Sequence, residues 1–241
     1  MLIFGSTALK YWLPDLKRSP KDLDLIGAGQ NSKNIEYHSC PSFQYILKNN
    51  KDQKYVDLNF LYTIKCSHLN YDINWDKHCL DVMLMQSKDV KIDNFLFDSL
   101  MNDWQEIHGK KKLNLNQSSN NFFTNYVKRE MDHDKLHDLF AYYGEPMFKK
   151  ILKDGCDVFT DISKWNKLSH EEKLICILEE SYVTAFERWN LPPKLLKMKG
   201  IKLYCTSLSK NEYFKYAVIN MKALYDHSAN SFFQNKILSL R

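Results

Sequence analysis

The sequence predicts an α+β chain with a mixed sheet and helices at its N-terminal end and an all-helical C-terminal domain. Three observations carry this. Short apolar runs bounded by turn-forming residues are confined to residues 1–105. A polar, basic stretch, GKKKLNLNQSSNN, then interrupts the pattern. Beyond it, apolar residues recur at helical spacing and capping signals repeat. The expected division is therefore 1–108, a linker or mobile loop at 109–121, and a helical domain at 122–241.

The elements follow in order. Leu2–Phe4, Leu23–Ile26, Ile35–His38 and Tyr55–Thr63 read as β-like runs, and Thr7–Trp12 and Phe43–Lys48 as helices. A helix is expected from Phe122 to Tyr143, closed by Gly144 and blocked by Pro146. Ser169 with Glu172 has the spacing of a capping box and opens a helix to Trp189, before Pro192-Pro193. Ser209 with Glu212 repeats that signal ahead of Tyr213–Tyr225.

Composition narrows the function classes. The 241 residues suit one large or two small domains, and 44% hydrophobic content with 14% aromatics supplies a core. No apolar run approaches membrane-span length, and the opening MLIFGSTALKYW lacks a signal-peptide pattern, so a cytoplasmic location without membrane contact is expected. The six cysteines contain no C-x-x-C pair, which argues against a zinc ribbon. The net charge of +5 is compatible with a phosphate-bearing partner. Abundant Asn and Lys match low-GC coding, as in some viruses and bacteria.

The chemistry-bearing residues cluster near the start. Gly5-Ser6 follows Leu2-Ile3-Phe4 and precedes a helical run. Glycine lets backbone approach a phosphate, and the helix N-terminus behind it offers N–H groups and a favourable dipole. Further on comes Asp22-Leu23-Asp24-Leu25-Ile26. Residues i and i+2 of a strand share a face, so Asp22 and Asp24 are expected to present two carboxylates to one spot, with Leu23 and Leu25 on the core side. Such a pair favours a divalent cation, Mg²⁺ (or Mn²⁺), shared with substrate phosphates.

This arrangement, Phe4-Gly5-Ser6 followed by Asp22-x-Asp24, resembles the signature of the nucleotidyltransferase superfamily. The interval is on the long side, and Trp12–Lys21, with Pro14 and Pro20, would form an extra loop. The resemblance implies a third carboxylate on a later strand. Asp57 is the first candidate and Glu36 the second. Leu61–His68 followed by Trp75–Asp81 is similar to the helical portion of abortive-infection-toxin-like nucleotidyltransferases. That likeness implies phosphate binding by Lys65 and Lys77, with Asp81 orienting Lys77; His78 departs from the relatives' pattern. The implied reaction moves a nucleoside monophosphate from an NTP such as ATP to an acceptor hydroxyl on an RNA end (a tRNA, for example), a protein or a small molecule. The catalytic residues would then be Asp22, Asp24 and Asp57, and the nucleotide would sit on Gly5, Ser6, Lys65 and Lys77.

The back half holds a second grouping. His133 and His137, at i and i+4, share one helix face, a spacing able to bind a transition metal. Glu180 and Glu187 share a face of the next helix. A histidine beside an apolar stripe is more often a hydrogen-bonded boundary residue, and no third ligand is set by local spacing. His68 and His78, with His108, complete the set of titratable candidates. Lys110–Lys112 suits a nucleic-acid backbone, although a solvated charge run is the commoner explanation. Two other readings stay open: an inactive nucleotidyltransferase fold that binds nucleic acid or a partner, and a metal-dependent hydrolase using the His133/His137 helix.

Overall fold

The computed structural model describes residues 1–109, 193–208 and 211–227, with Lys167, Ser169, Leu178, Ser181 and Ala185. The chain is α+β and forms two compact units, Met1–Lys112 and Leu113–Arg241. The expected linker residues 110–121, the helix from Phe122 to Tyr143, and His133, His137 and Glu180 lie outside the described residues.

The first unit is built on a three-stranded sheet in the order β1 (Leu2–Phe4), β2 (Leu23–Ile26), β3 (Ile35–His38). These are the bounds that the apolar runs predict. β1 and β2 are antiparallel and pair Phe4 with Asp24. β2 and β3 are parallel and pair Asp24 with Glu36 and Ile26 with His38. Only residues 27–34 join β2 to β3, a short connection for a parallel pair. Gly27, at φ +142°, makes the turn out of β2 in a conformation open to glycine.

Helix α1 (Gly5–Trp12) leaves β1 without an intervening loop and packs on β2. Helix α2 (Pro41–Asn49) starts on a proline, whose missing N–H is no loss in a first turn. Helix α3 (Leu58–Asn70) is capped by Asp57, whose carboxylate accepts from the Asn59 amide at 2.8 Å. Helices α4 (Trp75–Met85) and α5 (Asn94–His108) follow, and Asp93 caps α5 through the Leu96 amide at 2.8 Å.

The expected β-run Tyr55–Thr63 is corrected by this structure. Its first residues do lie beside β1: Val56 N–H donates to Ile3 at 2.9 Å, and Ile3 N–H to Lys54 at 2.9 Å. From Leu58 onward the chain is helical. Leu61 through Ser67 are all buried. The alternation of Tyr55–Phe60 suggests a strand, but Asp57 within it caps the helix that follows.

Phe43, Phe97, Leu9, Ile26 and Tyr71 fill the centre of this unit. Trp104 of α5 donates its indole N–H to the Ser67 hydroxyl at 2.7 Å, satisfying a buried donor between α3 and α5.

In the second unit, α6 (Pro193–Ser207), α7 (Asn211–Ile219) and α8 (Met221–His227) pack on one another around Ile201, Phe214, Val218 and Leu224. Pro193 opens α6, where proline is favoured; the end expected for the preceding helix near Trp189 lies outside the described residues. The single helix expected over Tyr213–Tyr225 is two, divided at Asn220, whose amide donates to the Tyr216 carbonyl at 2.8 Å. Leu178, Ser181 and Ala185 are helical and buried, within the span expected for the Ser169 helix. Among the described residues, no helix is long and apolar enough to cross a membrane.

Candidate functional site

The sheet register assembles three ligand-type side chains. Asp24 and Glu36 face each other across β2 and β3, and His38 lies one step along the same face as Glu36. His38 Nε2 is 3.5 Å from the Asp24 carboxylate and 3.8 Å from that of Glu36. One ligand atom from each residue lies within 4.8 Å of the other two. The Phe4 ring packs perpendicular to the imidazole, with centroids 4.9 Å apart.

Gly5 makes this cluster sterically possible. It begins α1 at φ +65°, and a Cβ on it would stand 1.8 Å from Asp24 Oδ2. Any other residue would occupy the space of the carboxylate. No side chain caps the N-terminus of α1, so its first turn keeps the orphan amides of a helix start beside Asp24. Ser6, next in that turn, is buried.

Two expected members of the site stand elsewhere. Asp22 precedes β2 and is outside the Asp24–Glu36–His38 cluster; its carbonyl accepts from the Thr7 hydroxyl at 3.2 Å, tying the loop to α1. Asp57 is not on a strand at all. As the N-cap of α3 its carboxylate is committed to a backbone amide. The carboxylate that stands beside Asp24 is Glu36, the second of the two later-strand candidates. His38 went unnoticed, although Glu36-x-His38 carries the same i, i+2 signal as Asp22-x-Asp24.

The lysine assignment also changes. Lys65 is buried and its ammonium lies 3.0 Å from Asp81. Arg18, from the loop between α1 and β2, reaches the other Asp81 oxygen at 2.5 Å. Asp81 thus holds Lys65 and Arg18 rather than orienting Lys77, which is exposed on α4. Burial pushes the Lys65 ammonium below its ordinary value, against the opposing pull of Asp81. The three charges pin α4, α3 and the Arg18 loop together, a structural arrangement that faces inward.

His68 and His78 join this buried region, with His68 Nδ1 and His78 Nε2 3.2 Å apart. One ring must donate to the other, so the two cannot both be protonated in this arrangement. Burial first, then nearby Lys65, drops His68 from 6.5 to about 3, and burial also holds His78 well below its usual value. These shifts set a pH dependence. The unfolded chain takes up two protons that the fold refuses, so stability is complete above about pH 6.5 and falls as pH drops toward 3. At about one pH unit below the unfolded value each histidine costs about 1.4 kcal/mol. The melting temperature should therefore fall by roughly 10 °C between neutral pH and about pH 5.5. A His68→Asn/His78→Asn variant should flatten that dependence; an unchanged slope would refute the assignment.

Beside His38 opens a cavity of about 400 Å³, lined among others by Tyr37, Phe43, Trp104, Asp103 and Glu106. The size suits a small organic group. Cys40 lines it too, but burial and the neighbouring Asp103 push its thiol up to about 12, so it is no nucleophile at neutral pH.

Fold and cluster together define an α+β chain with a carboxylate–imidazole site at the end of a small mixed sheet. By its sequence the chain belongs to the family described as a domain of unknown function (DUF7275), whose model matches residues 60–238. The match takes in Lys65 and Asp81 and begins after Gly5, Asp24, Glu36 and His38. No curated protein and no solved structure was found to match the chain.

Proposed function

We propose that the chain is a divalent-cation-dependent nucleotidyltransferase, moving a nucleoside monophosphate from an NTP to an acceptor hydroxyl. The observation that carries this is the register that sets Asp24 against Glu36 beside the uncapped first turn of α1 at Gly5. Carboxylates that hold a cation next to amides suited to phosphate are the parts phosphoryl chemistry needs, since such catalysis is mostly positioning and charge stabilisation. A bound cation supplies charge neutralisation at the α-phosphate and acidifies the acceptor hydroxyl. The acceptor oxygen bonds to the α-phosphorus as the bond to the β-phosphate's bridging oxygen breaks. Pyrophosphate leaves, and the hydroxyl proton passes to a carboxylate, a role that the exposed Glu36 suits. The cavity beside His38 suits the base or the acceptor. An RNA end, a protein and a small molecule all remain in range as acceptor.

The test is calorimetry with ATP, CTP, GTP and UTP, each with Mg²⁺ and with Mn²⁺. Wild type should bind at least one nucleotide only when the cation is present. Asp24→Asn/Glu36→Gln should weaken that binding at least tenfold while retaining the wild-type circular dichroism. A folded wild type that binds none of the four overturns the reading.

A second reading, an inactive fold that binds nucleic acid or a partner, is favoured by the commitment of Asp57 to capping α3 and by the burial of Lys65 against Asp81. It predicts nucleotide or RNA binding without pyrophosphate release.

A further inference from the structure

We propose that His38 is itself a metal ligand and that the cluster selects a transition-metal ion over Mg²⁺. This rests on the reading above only in that Asp24 and Glu36 hold a cation. Its content is the third ligand and the kind of ion.

His38 Nε2 is itself shielded, although the side chain is 36% exposed, and it makes no hydrogen bond within the protein. It lies between two carboxylates, at 3.5 Å from one and 3.8 Å from the other, too far for a hydrogen bond to either. An enclosed, unpaired ring nitrogen is costly unless something occupies the gap. Ligands held at 2.0–2.2 Å from one ion stand roughly 3–3.5 Å apart, near the 3.5 Å and 3.8 Å that separate His38 from the two carboxylates. Nitrogen is the deciding donor. Mg²⁺ takes oxygen and keeps its waters, whereas Fe²⁺ and Zn²⁺ accept imidazole readily, and Mn²⁺, which favours oxygen, still accepts a nitrogen ligand more easily than Mg²⁺ does. Two carboxylates and one imidazole on adjacent strands form a partial ligand set, and its remaining positions are open to substrate oxygens.

His38 is also placed to report on the site. Its ring packs against Phe4, which leads directly into Gly5, and it forms part of the cavity wall. A ligand in the cavity would therefore contact His38.

The experiment uses the full chain and metal alone, without nucleotide. Mn²⁺ serves as the paramagnetic probe, with calorimetry against Mg²⁺ and pulsed electron paramagnetic resonance for nitrogen coupling. Wild type should bind Mn²⁺ at least tenfold tighter than Mg²⁺ and show one imidazole nitrogen coupled to the ion. His38→Ala should lose that coupling and at least fivefold in Mn²⁺ affinity. His38→Asp, which restores an oxygen ligand, should still bind Mn²⁺ without nitrogen coupling and with a smaller preference over Mg²⁺. Mn²⁺ bound without nitrogen coupling, or with the affinity of Mg²⁺, overturns the role of His38 and leaves the carboxylate reading standing. No binding of either ion by wild type overturns both.

Discussion

Asp81→Ala is expected to destabilise the first unit by about 3–5 kcal/mol, the range for removing one partner of a buried ion pair. The variant strands Lys65, which is almost wholly buried, and it also removes the partner of Arg18. Both cations would keep their desolvation cost and lose the attraction that offsets it. Urea titration read by hydrogen exchange of α3 and α4 amides measures the effect on the unit concerned. A companion variant, Arg18→Leu/Lys65→Met/Asp81→Leu, replaces the whole group with apolar side chains and should recover most of the loss. A cost below about 1 kcal/mol for Asp81→Ala would mean that the charges are solvated in solution and that the pinning of α3 to α4 is misread.

Gly5→Ala is expected to damage both stability and the site, by two separable routes. An L-residue at φ +65° costs about 1–3 kcal/mol in backbone strain. The added Cβ also displaces the Asp24 carboxylate from the space it shares with Glu36 and His38. Divalent-cation affinity should fall at least tenfold. A double-mutant cycle separates the routes. In an Asp24→Ala background the carboxylate clash is gone and only a tight 3.0 Å approach to the residue-24 Cβ remains, so Gly5→Ala should cost little more than the strain. Equal costs in the two backgrounds would show that Gly5 and Asp24 are not coupled.

Much of this fold is legible in the chain. The runs that became β1, β2 and β3 are short, apolar and bounded by turn residues, and their bounds match. Thr7–Trp12 and Phe43–Lys48 lie inside α1 and α2. The misreading of Leu58–Thr63 has a definite cause. Alternation in Tyr55–Phe60 suggests a strand, but Asp57 is a helix cap, and the signal for that is the Asp itself rather than the periodicity around it.

By itself the sequence determined the positions where local chemistry decides. These include the strands of the sheet, the glycine that opens α1, and a carboxylate at position 24 one residue from the β2 start. Each depends on neighbours within about one helical turn or one strand step, which is the reach of a periodicity argument. Only the tertiary structure decided the company those residues keep. Strand register set Glu36 rather than Asp57 against Asp24 and brought His38 to both. Packing of α3 on α4 gave Asp81 to Lys65 in place of Lys77, its neighbour one turn away. The attraction between two charges is stronger where water is excluded than in an exposed i, i+4 pair, although desolvation offsets it, and no local spacing discloses which side chain the fold will bury.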